Sequence, residues 1–311
     1  MSKVAIIGAG DVGATLAYTV QLSSLATEIA LIDIDKEKAH GHALDMSHGL
    51  FFVAPVSVYA GDYSDCREAK VIVITAGSRQ KPDETRLDLV NRNAGICRII
   101  VEQIAPYVGD AVVLVVTNPV DAMTYVVLKR SGLPLGRVLG SGTVLDSARF
   151  RYSLSRSCGV DARNVHAYVI GEHGDSEVLL WSLVNISGIP LERFCKGCPE
   201  KCTTPPRKDI EEVVKKSAYH IIEAKGFTNY GVSLAMLRIL GAILRDEHSV
   251  LTVSTLLEGQ YGLRDVCLSV PCVVSAEGVE RIVKARLSED ESEGLRRSGE
   301  ALRSVIDEVA G

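Results

Sequence analysis

Short, almost continuous apolar runs alternate with amphipathic stretches in the first half of the chain. The runs are rich in β-branched residues, and they are Val4–Ile7, Ile29–Ile32, Val56–Tyr59, Val71–Thr75 and Val112–Val116. Such runs are typical of strands that are buried on both faces of a parallel sheet. A helical pattern lies between successive runs, the first from Ala14 to Leu22. The alternation predicts an α/β fold with a Rossmann-type parallel sheet, which binds ligands at the carboxyl ends of its strands.

The second half is less regular and predicts a mixed α+β domain. The change falls at Ser141–Arg151. Later segments predict a strand before His173, an amphipathic helix near 209–225, strands at Ser249–Thr255 and Val266–Val270, and a charged helix from Ser288 to Val309. We therefore expect a Rossmann domain at 1–142 and a catalytic or substrate domain at 143–311.

Composition narrows the class of protein. The chain has 311 residues, of which 47% are hydrophobic, and a formal net charge of −5. It has no basic run that would bind nucleic acid, and no apolar stretch approaches the ~18 residues of a membrane helix. The first residues lead directly into a strand pattern without a separate apolar signal segment. We expect a cytoplasmic protein that binds neither nucleic acid nor membrane.

The eight cysteines mostly lie in apolar segments, as expected for reduced thiols rather than for a disulfide framework. Cys195, Cys198 and Cys202 form one cluster. A closed zinc site needs four ligands, and the next histidine, His220, is distant in sequence. The neighbouring Thr, Pro and Lys residues favour an exposed loop, so we expect no metal site.

A glycine turn follows the first strand. Gly8, Gly10 and Gly13 match G-x-G-x-x-G between a strand and a helix, and Asp33 follows the last of them by twenty residues. The glycines allow close approach of a pyrophosphate, and the helix N-terminus supplies amide donors. Asp33 can accept hydrogen bonds from ribose hydroxyls and would repel a 2′-phosphate. The turn predicts NAD rather than NADP, although a purely structural glycine turn is the alternative.

Polar residues follow two further strands. Gly77–Arg86 is polar, contains proline and could close over a site. Thr117-Asn118-Pro119 ends a buried strand with an amide side chain. For the charged residues of the loop, the alternative is an ordinary solvated surface.

His173 lies in Gly171-Glu-His-Gly-Asp-Ser176, directly after an apolar strand. An imidazole has an ordinary pKa near ~6.5, and a carboxylate behind it raises that pKa and fixes its tautomer. Asp146 is a candidate for that carboxylate. Asp146 and Arg149 are three residues apart and share one face of a predicted helix, whereas Arg149 and Arg151 differ by ~200° of rotation. A lone loop histidine is usually a surface residue, but these neighbours favour a catalytic one.

Five segments together resemble the bacterial-type L-lactate dehydrogenases over nearly the whole chain. They are Gly8–Gly13, Gln80–Arg86, Val116–Asp121, Leu145–Arg151 and Gly171–Ser176.

The resemblance implies a role for each matching position. His173 is the acid/base, Asp146 orients it, Arg86 polarises the substrate carbonyl, and Arg149 grips the substrate carboxylate. Asn118 and Thr228 line the site, and Gln80 sets substrate choice. The cofactor-binding positions implied are Gly8, Gly10, Val12, Gly13, Asp33, Lys38, Tyr63, Gly77, Val116 and Asn118. The implied reaction is reversible hydride transfer between NADH and pyruvate, giving L-lactate.

One position departs from the family pattern. Asp83 stands where the family often has glycine. A side chain there restricts the backbone and adds negative charge near Arg86, which puts loop closure and pyruvate affinity in question.

The rival within the class is malate dehydrogenase, whose substrate carries a second carboxylate and calls for arginine at the position of Gln80. Arg79 next to it could supply a cation if the loop shifted by one residue. A catalytically silent dinucleotide-binding protein would be expected to lack one of the four catalytic groups, and an NAD-dependent glycosidase would need a metal site.

Arg151 and His166 predict a second, allosteric site. His166 lies seven residues before His173 in a segment spanning up to ~23 Å when extended. In relatives that respond to fructose 1,6-bisphosphate, an arginine and a histidine at these positions bind the phosphates across a subunit two-fold. The resemblance therefore implies a homotetramer that this effector activates, although solvated surface positions remain the alternative.

Overall fold

The computed structural model describes residues 2–78, 85–196 and 207–309. The first half forms six strands: β1 (Lys3–Ile7), β2 (Glu28–Ile32), β3 (Ser57–Gly61), β4 (Val71–Ile74), β5 (Val112–Val115) and β6 (Val138–Gly140). Four helices connect them: α1 (Asp11–Ser23), α2 (Lys36–His48), α3 (Arg86–Ile104) and α4 (Val120–Ser131). The five sequence-based strands agree with β1 to β5 to within one or two residues, whereas β6 was not predicted.

The six strands are parallel and lie in the order β6-β5-β4-β1-β2-β3. All four residues of β4 and of β5 are buried, because helices cover both faces of the sheet. The predicted Rossmann-type α/β class is confirmed. Since the strands are parallel, β1, β2, β4 and β5 end at the same edge, where the glycine turn, Asp33, Gly77 and Asn118 follow them.

The second half contributes the remaining described elements. Its helices are α5 (Val144–Cys158), α6 (Leu191–Lys196), α7 (Arg207–Lys225), α8 (Tyr230–Leu244) and α9 (Glu289–Val309). Its strands are β7 (Val165–His166), β8 (Val169–Ile170), β9 (Val178–Leu179), β10 (Asn185–Ile186), β11 (Ile189–Pro190), β12 (Ser249–Glu258), β13 (Arg264–Ser275) and β14 (Gly278–Ile282). Across the described ranges, no helix combines the length and apolar character needed to cross a bilayer.

The large sheet crosses the predicted boundary between the two halves. Strands β12, β13 and β14 extend it antiparallel beyond β6, giving nine strands, and Ser254 of β12 pairs with Gly140 of β6. A Cβ on Gly140 would lie 2.9 Å from Cβ of Ser254 and 2.3 Å from Oγ1 of Thr124. Glycine thus permits this close pairing. The division at 142/143 falls between β6 and α5 and stays a prediction.

A smaller core outside the main sheet fixes the helix that carries the predicted catalytic groups. Phe150 and Leu154 of α5 are fully buried against Trp181 and Val214. The rings of Phe150 and Trp181 meet edge to face, with centroids 4.8 Å apart. Burying one such aromatic ring contributes roughly 1.5–3 kcal/mol. This packing holds α5 in place, and the first half of the helix carries Asp146 and Arg149.

Candidate active site

The glycine turn packs too tightly for side chains at two of its three glycines. Gly8 has φ +110°, and a Cβ there would lie 2.6 Å from the amide nitrogen of Ala76. A Cβ on Gly13 would lie 1.8 Å from the carbonyl oxygen of Gly8. Around Gly10, by contrast, no atom lies within 4 Å of the Cβ position. The turn is therefore tightly packed at Gly8 and Gly13 and open at Gly10, immediately before α1, as a pyrophosphate site requires.

Asp33 lies beside this turn, directly after β2. Its Oδ2 accepts a hydrogen bond from the amide of Ala9 at 2.5 Å, and its Oδ1 accepts from Asp35 at 2.9 Å. Tyr63 is half-buried nearby; burial and the negative charges of Cys66 and Asp33 raise its pKa. The exposed Lys38 belongs to the first turn of α2. A fixed carboxylate next to the turn fits the ribose of NAD.

A buried asparagine joins the ends of β4 and β5. Asn93 of α3 accepts from the amide of Ser78 at 2.8 Å and donates to the carbonyl of Asn118 at 2.8 Å. The two strand ends are further tied at Gly77, whose Cβ position lies 2.6 Å from Cγ2 of Thr117. Asn118 itself is exposed and Val116 is half-buried. The polar residues at these strand ends therefore stand at fixed positions.

His173, Asp146 and Arg149 form one connected group. Nδ1 of His173 lies 2.5 Å from Oδ2 of Asp146, and Nη1 of Arg149 donates to Oδ1 of the same carboxylate at 2.7 Å. Asp146 is buried, while a quarter of the His173 side chain remains exposed. The carboxylate thus fixes the imidazole through Nδ1, and Nε2 is the ring nitrogen left for a substrate.

The electrostatics of the pair favour a charged histidine. Burial alone would lower the pKa of His173, but the charge and hydrogen bond of Asp146 outweigh it and raise the pKa to about 9. Burial also opposes ionisation of Asp146, yet His173 and Arg149 keep the pKa of this carboxyl below its ordinary value. The group can therefore hold a proton on the imidazole at neutral pH.

Asp121 fixes the backbone of the catalytic histidine, a role that the sequence did not reveal. Its Oδ2 accepts a hydrogen bond from the amide of His173 at 2.8 Å, and the side chain is buried in the first turn of α4. Burial raises the pKa of Asp121 to about 6. Asp121 is the last residue of Val116–Asp121, one of the five segments that carry the family resemblance. That position was the feature of the sequence from which its importance could have been inferred.

Glu177 is a second unforeseen group near the pair. It is 5% exposed, and its Oε1 has no hydrogen-bond partner within the described part of the chain. Burial and the nearby charge of Asp146 raise its pKa to about 8. A buried carboxyl that interacts with Asp146 and His173 belongs to the electrostatics of the site.

The remaining predicted positions fall partly within and partly outside the described residues. Gln80, Arg79 and Asp83 lie outside the described residues, as do Cys198 and Cys202. Arg86 begins α3, after Thr85 has capped the helix through the amide of Asp88. Thr228 is half-buried between α7 and α8, and Cys195 belongs to α6. Among the described residues, no three His, Cys, Asp or Glu side chains form a group that could hold a metal.

Arg151 and His166 line one groove of about 440 Å³, away from the His173 cleft. Nε of Arg151 donates to the carbonyl of Ala167 at 3.0 Å, and its guanidinium lies 5.0 Å from the ring centre of Tyr168. Arg238 lines the same groove. Arg149 and Arg151 of α5 therefore serve different places: Arg149 contacts Asp146 beside His173, and Arg151 lines the separate groove.

Comparison with known proteins agrees with this geometry. Residues 2–140 match the family model for the NAD-binding domain of lactate/malate dehydrogenases, and residues 143–311 match the model for their alpha/beta C-terminal domain. Curated relatives named L-lactate dehydrogenase come from Thermoanaerobacter, 55% identical over 99% of both chains, and from Acetivibrio thermocellus, 54% identical over 98% of this chain and 96% of the relative.

Solved structures give the same result. A lactate dehydrogenase from a Medee basin deep-sea metagenome library superposes with a TM-score of 0.96 at 42% identity, covering 100% of this chain and 99% of that one. A minor L-lactate dehydrogenase from Enterococcus mundtii gives 0.95 at 40% identity, covering 99% and 98%. The chain belongs to the lactate/malate dehydrogenase family of NAD-dependent 2-hydroxy-acid dehydrogenases.

Proposed function

We propose that this enzyme is an L-lactate dehydrogenase that interconverts pyruvate and L-lactate. The observation that carries the proposal is the hydrogen-bonded group of His173, Asp146 and Arg149, in a chain whose Asp33 and open Gly10 suit NAD. The names of the curated relatives support the same activity.

The proposed mechanism assigns one task to each group. NADH supplies the hydride, and the protonated imidazole of His173 donates a proton from Nε2 to the substrate carbonyl oxygen. Asp146 keeps the imidazole oriented and stabilises its charge. Arg149 binds the substrate carboxylate through donors other than Nη1, while Arg86 stabilises charge on the oxygen. Closure of the loop preceding α3 would exclude water.

Substrate choice depends on Gln80 in this proposal. A neutral amide packs over the methyl group of pyruvate but leaves the second carboxylate of oxaloacetate unpaired, which costs several kcal/mol when buried. We expect a higher kcat/KM for pyruvate than for oxaloacetate, and the opposite preference in Gln80→Arg.

An NADH-oxidation assay with both substrates tests this assignment. Arg79→Gln is the matched control, because it removes the neighbouring cation without changing Gln80. If the wild type preferred oxaloacetate and Arg79→Gln removed that preference, malate dehydrogenase would replace lactate dehydrogenase as the function. Turnover of neither substrate would favour the silent dinucleotide-binding protein.

Activation by fructose 1,6-bisphosphate is the finer part of the proposal. Arg151, His166 and Arg238 line one groove; Arg238 is paired with Glu247, so it is chiefly Arg151 that presents positive charge to a ligand. In a homotetramer, two such grooves facing across a two-fold axis would gather like charges that a bisphosphate neutralises. The effector would then favour the assembled, substrate-ready form.

Exposed apolar side chains support assembly. Helices α1 and α8 contact each other, and each has exposed apolar side chains. They are Tyr18 and Leu22 on α1 and Tyr230 and Leu234 on α8. Contiguous apolar surface on a single chain commonly marks a subunit interface. We place the enzyme in the cytoplasm, where cysteine thiols remain reduced.

A further inference from the structure

A line of hydrogen bonds joins the glycine turn to the segment that contains Thr228. Oγ1 of Thr15 donates to the carbonyl of Asp11 at 2.6 Å and accepts from Nδ2 of Asn229 at 3.0 Å. Oδ1 of Asn229 accepts from Nζ of Lys225 at 2.6 Å. Thr15 belongs to α1 and Lys225 ends α7, so the line links the two halves of the protein.

Asn229 is the joint in this line. It is 8% exposed, and both ends of its amide are paired, Nδ2 with Thr15 and Oδ1 with Lys225. Burial makes these bonds costly to leave unmade, because an unpaired buried polar group has lost its contacts with water and gained no partner in exchange. The amide therefore has one favourable orientation, which depends on the position of Thr15.

The same residues brace the short segment 226–229. Nζ of Lys225 lies 4.9 Å from the ring centre of Phe227 and 4.1 Å from that of Tyr230, on either side of Thr228. The Lys225–Asn229 bond closes the segment into a small loop. A displacement of Asn229 must therefore move Thr228, its neighbour in the chain.

We propose that Asn229 is a positioning residue, which couples occupation of the glycine turn to the placement of Thr228 through its hydrogen bond with Thr15. The role in catalysis rests on the proposed function, in which Thr228 lines the substrate site. A cofactor held at Gly10 and the first turn of α1 would restrain that turn, and with it the carbonyl of Asp11 to which Thr15 donates. By reciprocity, an ordered 226–229 segment favours the cofactor-bound turn.

Amide hydrogen exchange tests the coupling without any turnover. In the wild type, saturating NADH should slow exchange of the amides of 226–230 by about tenfold, an ordinary coupling between two sites. Thr15→Val keeps the side-chain shape but removes the donor and acceptor, and should abolish this slowing. Thr15→Ser should preserve it. Thr19→Val is the matched control, since Thr19 bonds to the carbonyl of Thr15 one turn along and lies outside the line.

Kinetics test the consequence for catalysis. Thr15→Val should raise the pyruvate KM about fivefold while kcat at saturating pyruvate stays within about twofold, since the acid/base group is untouched. The double variant Thr15→Val, Asn229→Leu should be no worse than Asn229→Leu alone, because Asn229→Leu already removes the Thr15–Asn229 bond together with the bond to Lys225.

Equal protection of 226–230 by NADH in the wild type and in Thr15→Val would overturn the proposal, as would the absence of protection in the wild type. Additive effects in the double variant would also overturn it. A wild type that fails to reduce pyruvate would refute the proposed function alone, because the exchange experiment would still decide the coupling.

Discussion

The carboxylate of Asp146 pairs with both His173 and Arg149, and it should determine the pH range over which pyruvate is reduced. The reaction needs protonated His173, whose pKa is raised to about 9 against the opposing effect of burial. In the free enzyme, kcat/KM for pyruvate should therefore hold at neutral pH and fall as pH rises through about 9. In Asp146→Asn the imidazole loses its charged partner, so the fall should begin at lower pH, and the rate at pH 7 should drop by about 10²–10⁴.

The pH dependence of kcat/KM in the two proteins checks this expectation. The same pair should stabilise the fold, since a histidine whose folded pKa is raised contributes stability that is complete below its unfolded pKa of ~6.5 and is lost as pH rises through about 9. An Asp146→Asn profile that coincides with the wild type in position and height would contradict the assigned role.

Glu177 should cost stability at alkaline pH. Burial raises its pKa to about 8 from the ordinary glutamate value of 4.5, so the folded state retains a proton that the unfolded chain releases. Glu177 therefore does not lower the free energy of unfolding below pH 4.5. Its destabilising effect grows as the pH rises from 4.5 to about 8. Glu177→Gln removes the ionisation and should raise Tm more at pH 9 than at pH 6.

Thermal unfolding at the two pH values measures this difference. Glu212→Gln is a suitable control, because Glu212 is exposed on α7 and paired with Lys216. A gain in Tm of the same size at both pH values would mean that Glu177 is not held as a neutral acid.

The strands and main helices were predictable because their signals are local. Continuous β-branched runs marked β4 and β5, and the glycine turn with its helical run marked α1, which the structure extends from Ala14–Leu22 to Asp11–Ser23. Asp121 and Asn93 escaped prediction for the opposite reason. Each satisfies backbone groups brought near by folding, and a single sequence shows residue types without their partners.

Asn93 offers a test of how firmly α3 holds the strand ends. Its amide is 2% exposed and pairs with Ser78 and Asn118. Asn93→Ala should leave these backbone groups unpaired, lower the free energy of unfolding by about 1–3 kcal/mol and raise the pyruvate KM.

Urea unfolding and steady-state kinetics measure the two effects. Asn185→Ala is the comparison, since the side chain of Asn185 in β10 likewise bonds to backbone groups, those of Leu183 and Gly188. That change should leave the pyruvate KM near its wild-type value. A rise in KM as large as that of Asn93→Ala would show that the effect is not specific to the strand ends.

The continuous nine-stranded sheet could not be read from the sequence. Strands β12 and β13 were expected, but their pairing with the parallel strands depends on the close approach at Gly140, which the sequence shows only as one glycine. The main sheet and the second half share hydrogen bonds, so the two halves of the chain are joined by one continuous β-structure.

A ligand bound in the groove that contains Arg151 and His166 should change the assembly of the subunits. If fructose 1,6-bisphosphate neutralises facing grooves, it should lower the pyruvate KM about tenfold and shift the protein towards tetramer, within the usual range of allosteric coupling.

Steady-state kinetics and sedimentation with and without the effector measure both consequences. The double variant Arg151→Gln, His166→Gln should lose the response while retaining its basal activity, since both residues lie away from the His173 cleft. Arg163→Gln is a matched control, because Arg163 is an exposed cation that pairs with Asp161 near His166 in the chain. Identical wild-type curves with and without effector would exclude this regulation. A response that survived in the double variant would place the effector site elsewhere on the surface.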